Sequence, residues 1–375
     1  MPKIADFFPQ GLALGKNFCN REKERKQLKN NIESARSTLV ISPRRYGKTS
    51  LVLFVLQGTK LLFAHIDLYS ELNEEEIQNT VLASIGNVLY SIESSPKKAF
   101  KFITDFFSDL NVNFKFSNEK INIEIAKSIK SPAKTILGSL KKLDDVLKSK
   151  NKKAILFFDE FQRISQITEN SAIEGAIRHI AQESKNIVFI FSGSNRHLLN
   201  SMFDDRTRPL YKLCDRISLS RISNNDYLPF IQQKMKEKWD KNISMETLEY
   251  ILNLTENHSY YVNVLCHRLL ILDALPTEQS VELVWNKYAL EEKNNVINEL
   301  NLLSTNQAKM LIAIAKYGKE CTPLSKKFIS ITRFSLSSAS QSIKALESKD
   351  YININESGNY FIVDPLIRYV FSGVF

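Results

Sequence analysis

Residues 42–49 of the chain (SPRRYGKT) have the residue types and spacing of a loop that binds the phosphates of a nucleotide. The β-rich run Thr38–Ile41 precedes this loop, and an apolar helical pattern follows it. In a strand–loop–helix unit of this kind, backbone N–H groups and the N-terminus of the helix face the bound anion. We predict that Lys48 bridges the β- and γ-phosphates of ATP and that the Thr49 hydroxyl binds Mg²⁺.

The loop departs from the pattern G-x-x-x-x-G-K-[ST] at one position, where Ser42 replaces the first glycine. That glycine serves the turn rather than the phosphate contact, so the hypothesis stands. The alternative is a chance Gly-Lys-Thr on a surface loop, which the flanking strand and helix disfavour. The residues predicted to contact the nucleotide here are Pro43, Arg44, Arg45, Tyr46, Gly47, Lys48, Thr49 and Ser50.

A second pattern with chemical potential is an apolar strand that ends in two acids, Asp159 and Glu160. We predict that Asp159 holds Mg²⁺ through water and that Glu160 orients or deprotonates the water that attacks the γ-phosphate. Farther along the chain, Ser194 and Asn195 follow another predicted strand. They either sense the γ-phosphate or serve as turn and helix-capping residues, and the sequence leaves both interpretations open.

The elements that must position these residues alternate between strands and helices. This alternation predicts βαβ units and a parallel sheet flanked by helices. Residues 92–130 read as an insertion on this domain, with an alternating hairpin pattern over 111–126 whose function stays open. The predicted strands are Thr38–Ile41, Leu61–Asp67, Ala154–Phe158, Ile187–Phe191 and Arg216–Leu219.

The C-terminal part of the chain has a different pattern. Residues 223–301 are helical throughout, whereas 302–375 read as three helices followed by a β-hairpin, which is typical of a winged helix. We therefore predict an α/β P-loop NTPase domain over 1–222, a helical lid over 223–301 and a winged helix over 302–375.

Together these motifs resemble the bacterial and archaeal AAA+-type ATPases of the STAND-related "archaeal ATPase" family. The resemblance rests on 18–22 (FCNRE), 43–51 (PRRYGKTSL), 157–162 (FFDEFQ), 191–195 (FSGSN), 208–211 (RPLY) and 360–370 (YFIVDPLIRYV). It covers nearly the whole chain except the insertion. It implies an AAA+-like fold that binds ATP and Mg²⁺ and hydrolyses ATP.

The resemblance also assigns individual residues. Phe18 and Arg21 belong to the box that lies at the adenine, although Asn20 replaces the glycine of that box. Residues 257–260 (NHSY) replace a Gly-x-Pro turn that usually places a lid sensor, so we name no sensor residue. Arg206 and Arg208 lie where AAA+ subunits meet, and Arg208 is a candidate finger for the γ-phosphate of a neighbouring subunit in a homo-oligomer. A surface salt bridge or a proline-anchored loop is the alternative for both arginines.

Composition excludes a disordered, a collagen-like or a purely coiled-coil protein. The 375 residues are 43% hydrophobic and 25% charged, as in soluble globular proteins. No apolar run reaches the roughly 18 residues that span a bilayer, and residues 1–19 lack a secretion signal, so we expect a cytoplasmic protein with no membrane partner. Four widely spaced cysteines form neither a zinc site nor a disulfide framework, and we expect reduced, mostly buried thiols.

The net charge of +10 favours polyanionic partners. However, the predicted recognition helix of the winged helix, 335–349, is polar rather than basic, and the wing has no Lys or Arg. We therefore expect weak, nonspecific DNA binding.

The leading hypothesis is a nucleotide-driven switch for a partner protein or effector. The alternative is a nucleic-acid-remodelling ATPase similar to origin-recognition initiators. An adaptor without turnover is disfavoured by the acids at 159 and 160.

Overall fold

The computed structural model describes residues 7–93, 95–110, 112–117, 120–125, 131–168, 170–355 and 357–373. The chain divides into two compact units. The sheet unit comprises Arg21–Ser42 and Lys48–Leu219, and the helical unit comprises Met1–Asn20, Pro43–Gly47 and Ser220–Phe375.

The sheet unit contains a five-stranded parallel sheet whose strand order is β2-β5-β6-β1-β7. The strands are β1 (Thr38–Ile41), β2 (Leu62–Asp67), β5 (Ala154–Asp159), β6 (Ile187–Gly193) and β7 (Asp215–Ser218), and the insertion adds an antiparallel hairpin of β3 (Val112–Ser117) and β4 (Lys120–Ile125). The three central strands are buried along their whole length, as expected for parallel strands that helices cover on both faces.

Eight helices of the described residues belong to the sheet unit. They are α1 (Glu22–Glu33), α2 (Lys48–Gln57), α3 (Glu74–Tyr90), α4 (Pro96–Phe106), α5 (Pro132–Ser149), α6 (Gln162–Ile167), α7 (Ala172–Glu183) and α8 (Arg196–Asp204). Beneath the sheet, five aromatic rings pack together with centroids 4.5–6.3 Å apart; they are Phe158, Phe161, Phe189, Phe191 and Phe203.

The predicted sheet and hairpin are confirmed, with small differences at the strand ends. β5 extends to Asp159 and β6 extends to Gly193. The acids at 159 and 160 and the polar residues at 194 and 195 therefore lie at the carboxyl edge of the sheet. The hairpin turn at 118–119, its flanking residues 111 and 126, and the predicted facing of its apolar side chains lie outside the described residues.

The helical unit confirms the predicted helices of the C-terminal part. They are α9 (Asn224–Trp239), α10 (Met245–Thr255), α11 (Ser259–Leu270), α12 (Glu278–Asn301), α13 (Thr305–Tyr317), α14 (Lys326–Thr332) and α15 (Leu336–Ser348), followed by the wing strands β8 (Ile352–Ile354) and β9 (Tyr360–Ile362). A further helix, α16 (Pro365–Phe371), was not predicted. Its sequence signal is Asp364, which caps the Leu366 N–H at 2.8 Å, followed by proline at the first helical position.

The two compact units divide the chain at other positions than the three predicted domains do. The tip of the phosphate loop, Pro43–Gly47, and the segment before Arg21 belong to the same compact unit as residues 220–375. The boundaries at 222/223 and 301/302 stay a prediction.

The described part of the chain also has features that concern membranes, thiols and metal ions. None of its helices combines the length and the apolar character needed to cross a membrane. The four cysteines are free thiols, and three of them are buried. The described residues contain no group of three or more His, Cys, Asp or Glu side chains that could hold a metal ion.

Candidate functional site

The phosphate loop lies between the end of β1 at Ile41 and the start of α2 at Lys48. Two of its residues have left-handed backbone conformations, Arg45 at φ +63° and Gly47 at φ +89°. Gly47 fits this turn because a glycine has no Cβ to clash in that region. The loop leads directly into α2, and the N-terminus of a helix is a position at which proteins bind anions.

The buried ammonium of Lys48 is held at the start of the loop. Its Nζ donates to the Ser42 carbonyl oxygen at 3.1 Å and lies 3.4 Å from the Ser42 hydroxyl oxygen. The serine that replaces the first glycine of the motif therefore adds an acceptor for the phosphate-binding lysine. The motif does not predict this contact, because glycine, its usual residue at this position, has no side chain.

The predicted metal ligands, Thr49 and Asp159, meet at the carboxyl edge of the sheet. Thr49 Oγ1 donates to Asp159 Oδ2 at 2.5 Å, and the Ser192 hydroxyl donates to Asp159 Oδ1. This arrangement follows from the strand order, because β6 lies between β5 and β1 and places Ser192 beside the carboxyl ends of both strands. Ser192 belongs to the polar segment that follows the predicted strand, but its hydrogen bond to Asp159 could not be predicted, since only the strand order reveals that the two residues are close.

Asp159 also has a histidine neighbour on β2. His65 Nε2 lies 3.6 Å from Asp159 Oδ2, and its ring stacks on Phe157 with a centroid distance of 4.8 Å. Burial raises the pKa of Asp159, but the interactions with His65, Ser192 and Thr49 outweigh burial and leave that pKa below its ordinary value. Asp159 is therefore anionic at neutral pH, and its role as a metal ligand stays a prediction.

Glu160 turns away from the strand in a left-handed conformation, with φ +51°. Such a conformation is uncommon for a residue other than glycine, and strain of this kind concentrates at functional sites. Its Oε2 accepts hydrogen bonds from the Ser194 hydroxyl at 2.7 Å, from the Ser194 N–H at 3.3 Å and from the Gln162 amide. The structure thus brings the predicted base and Ser194 together.

Asn195 performs a capping function. Its Oδ1 accepts a hydrogen bond from the Leu198 N–H at 3.0 Å, at the N-terminus of α8. The capping interpretation is therefore observed for Asn195, and its role as a phosphate sensor stays a prediction. Ser50 is buried in the first turn of α2.

Arg208 is held inside its own chain. Its guanidinium donates to Glu174, whose side chain is fully buried, and to the Ser165 hydroxyl at 3.0 Å. Burial raises the pKa of Glu174, although the Arg208 charge opposes this effect. Arg206 is exposed. An intrachain ion pair is thus present at Arg208, and a finger role in a neighbouring subunit stays a prediction.

Within the helical unit, the loop tip packs against α11. The Arg45 guanidinium lies over the Tyr260 ring at 4.1 Å, and the Tyr46 ring meets the His258 ring edge-on at 5.0 Å. Burial, followed by the charges of Arg221 and Arg45, lowers the pKa of His258 to about 3. The segment that replaces the family's Gly-x-Pro turn therefore supplies contacts to the loop tip. No sequence signal identified these contacts.

The box that includes Phe18 and Arg21 has an unusual backbone. Asn20 and Arg21 have positive φ values of +44° and +59°, a region that asparagine tolerates better than most residues. The Asn20 amide donates to the Asp226 carboxylate. These features explain how Asn20 replaces a glycine. The contact of Phe18 and Arg21 with adenine stays a prediction.

Comparisons with known proteins agree with this geometry. Residues 18–265 match a family described as an ATPase domain predominantly from Archaea, and residues 295–372 match a probable winged helix domain. A comparison with curated proteins finds no match.

Among solved structures, the chain is similar to the Walker-type ATPase PABY2304 of Pyrococcus abyssi. The TM-score is 0.70 at 18% identity, over 98% of this chain and 99% of that one. The chain is also similar to the ORC2 protein of Aeropyrum pernix in its ADPNP–ADP complexes, with a TM-score of 0.59 at 15% identity, over 98% and 96% of the two chains. The ORC1 protein of Aeropyrum pernix in complex with DNA gives a TM-score of 0.51 at 10% identity, over 100% and 97%. At these identities the similarities establish the fold.

The family match covers more than half of the chain and includes both the phosphate loop and the acids at the end of β5. The predicted family, fold class and ATPase activity are therefore confirmed. The chain belongs to the family of ATPase domains found predominantly in Archaea, and it hydrolyses ATP.

Proposed function

We propose that the protein is a Mg²⁺-dependent ATPase that uses its nucleotide state to switch its winged helix for a partner protein or effector. One observation carries this proposal. The tip of the phosphate loop shares a polar network with the lid helices and the winged helix, all within the helical unit. A ligand that changes the tip therefore acts on groups that also hold the winged helix.

The network is centred on Arg221. Its Nε donates to the Tyr46 hydroxyl at 3.3 Å, and its two terminal nitrogens donate to Glu256 at 2.6 Å and to the carbonyl oxygens of Ile362 and Val363 at 3.3 and 3.1 Å. Ile362 is the last residue of the wing strand β9, and Val363 follows it. One guanidinium thus contacts the phosphate loop, the lid and the winged helix.

Glu256 joins a second arginine to this network. Its carboxylate is buried and accepts from Arg221 on one oxygen and from Arg368 of α16 on the other. Removing one member of a buried ion-pair network leaves an uncompensated charge, which is strongly destabilising. The network therefore favours discrete arrangements over gradual ones, as a switch requires.

The residues at the end of the sheet fit a magnesium ion. Mg²⁺ prefers oxygen ligands, retains several waters and is usually bound through one or two protein groups together with substrate phosphates. The Thr49 hydroxyl and the Asp159 carboxylate are oxygen donors 2.5 Å apart. We assign Thr49 as a direct ligand and Asp159 as a ligand through water. The ion would neutralise charge on the β- and γ-phosphates.

The side chains of this chain then have separate tasks in hydrolysis. Lys48 exchanges its contacts with Ser42 for the β- and γ-phosphate oxygens, and Arg44, Arg45 and the loop N–H groups surround the phosphates. Glu160 orients the attacking water and accepts its proton. The water oxygen bonds to the γ-phosphorus while the bond to the β,γ-bridging oxygen breaks, and ADP departs with that electron pair.

The alternative function, nucleic-acid binding or remodelling, is favoured by one feature of the winged helix. Lys326, Lys327, Arg333 and Lys344 are exposed on or beside α14 and α15. One structure of similar fold is in complex with DNA. Binding through these charges would be weak and would fade with salt, because phosphate contacts release counterions. Sequence-specific binding that survives moderate salt would favour remodelling over the partner-protein switch.

Lys48→Ala tests the phosphate loop. We expect a loss of Mg²⁺·ATP affinity of about 10- to 100-fold, because a hydrogen bond to a charged group contributes about 1.5–3 kcal/mol. The measurement is titration calorimetry, with circular dichroism as the check on folding. Lys29→Ala, which removes a largely exposed lysine from α1, is the matched control and should leave the affinity unchanged. An unaltered affinity in Lys48→Ala would refute the phosphate-loop assignment.

Glu160→Gln separates binding from chemistry. We expect the variant to bind ATP normally and to lose about 10²- to 10⁴-fold in kcat, which is the usual contribution of a positioned general base. Phosphate release and ATP binding are measured on the same preparation. Glu33→Gln changes an exposed carboxylate in the sheet unit and should retain wild-type turnover. If Glu160→Gln hydrolyses ATP at the wild-type rate, the base lies elsewhere.

We also propose that the protein forms a homo-oligomer in which Arg208 reaches the γ-phosphate bound to a neighbouring subunit. The ion pair with Glu174 must open for this, so the test compares Glu174→Gln with the double variant Glu174→Gln/Arg208→Ala. The first keeps the arginine, and both remove the buried carboxylate of Glu174. We expect the double variant to turn over ATP at least tenfold more slowly, since an arginine finger contributes about 10³- to 10⁵-fold.

Light scattering completes this test. Addition of ATP to Glu160→Gln should produce a larger species than the nucleotide-free protein. A protein that stays monomeric with ATP, together with equal turnover in the two Glu174 variants, would show that Arg208 serves only its intrachain ion pair.

A further inference from the structure

Gln162, the first residue of α6, lies against the Glu160 carboxylate. Its side chain is buried, with 4% of the residue exposed. The amide Nε2 donates to Glu160 Oε2, the same oxygen that accepts from the hydroxyl and the N–H of Ser194. Three donors from two segments of the chain thus converge on a single carboxylate oxygen.

Gly193 leaves the space that Gln162 occupies. A Cβ on residue 193 would lie 1.9 Å from Gln162 Oε1 and 3.0 Å from Gln162 Cδ. Gly193 is the last residue of β6, and its backbone is not in the left-handed region. A larger residue at position 193 would therefore have to displace the Gln162 amide, and glycine leaves the room that this amide occupies.

The Gln162 side chain is not explained by stability. Its Oε1 is buried, and no residue in the described ranges donates a hydrogen bond to it. An unsatisfied buried polar atom costs about 1–3 kcal/mol. A methionine or leucine would fill the same space without that cost. A polar side chain retained under these conditions calls for an explanation in terms of function.

We propose that Gln162 is a positioning residue for ATP hydrolysis. Its amide, accommodated by Gly193, fixes Oε2 of Glu160 and thereby leaves Oε1 as the oxygen that accepts the proton of the attacking water. This inference rests on the proposed role of Glu160 as the base. A general base gives its full effect only when it is held within about 0.5 Å of the productive geometry. A carboxylate whose side-chain torsions are free does not keep that position.

The first experiment removes the amide in two independent ways. Gln162→Met keeps the length of the side chain and removes the donor. Gly193→Ala keeps Gln162 but displaces the end of its flexible side chain. We expect each to lower kcat by about 10- to 100-fold with unchanged ATP affinity, since misplacing a catalytic group by about 1 Å can cost 100-fold. Wild-type kcat in Gln162→Met would overturn the proposal.

Matched controls lie on α6 itself and on α7. Gln166→Met alters an exposed glutamine of the same helix. Gly175→Ala adds a methyl group where nothing lies within 4 Å. Both should retain wild-type kcat. Thermal unfolding of all four variants is measured in parallel, and the proposal requires that the loss of kcat in Gln162→Met is not accompanied by loss of the folded state at the assay temperature.

The second experiment distinguishes positioning from a structural role. If Gln162 acts through Glu160, then Gln162→Met should not lower the residual hydrolysis of Glu160→Gln any further. An equal fold-loss in both backgrounds would show that Gln162 acts independently of the base and would overturn the proposal. The proposed base fails separately, through wild-type turnover in Glu160→Gln. If Glu160→Gln stalls and Gln162→Met does not, only the role of Gln162 is wrong.

Discussion

The buried carboxylate of Asp159 is the point on which the catalytic half of the molecule depends. It accepts hydrogen bonds from Thr49 on the helix that follows the phosphate loop and from Ser192 on the neighbouring strand. An anion at this depth is tolerated only when such donors surround it. The strand order provides them, because β6 separates β5 from β1 and aligns the carboxyl ends of all three. Burial of this carboxylate therefore fixes the positions of Thr49, Asp159 and Ser192 relative to one another within the sheet unit.

The helical unit contains a second buried anion, which also joins segments that are distant in sequence. Glu256 lies between Arg221 and Arg368, and Arg221 extends this network to Tyr46 at the tip of the phosphate loop. The wing backbone is held by the same guanidinium through the carbonyl oxygens of Ile362 and Val363. A nucleotide shifts such an arrangement only by the difference in its affinity for the two states. We propose that Arg45 supplies part of that difference, because its charge lies over the Tyr260 ring here and would be attracted to bound phosphates.

Much of this architecture could be predicted from sequence because it is encoded locally. The phosphate loop, the acids after β5, the parallel strands and the wing are all short patterns of neighbouring residues. The contacts that refine the site could not be predicted, and most of them join residues distant in sequence. Ser42 lies close to Lys48 in sequence, but the motif has a glycine at position 42 and so predicts no side-chain contact there. Strand register and helix packing set the other contacts, which are Ser192 with Asp159, Gln162 with Gly193 and Glu174 with Arg208. Asn195 could be assigned to two roles from sequence, and the capping hydrogen bond became evident only from the position of α8.

The most direct test of the coupling is hydrogen exchange on the Glu160→Gln protein with and without Mg²⁺·ATP. We expect ATP to change the exchange of backbone amides both in the phosphate loop, 42–50, and in the wing and α16, 352–371. In an added Arg221→Met variant, the change should persist in the loop and disappear from the wing, because the guanidinium that joins them is absent. Protection confined to the phosphate loop of Glu160→Gln, with unchanged exchange across 352–371, would contradict a nucleotide-driven switch of the winged helix.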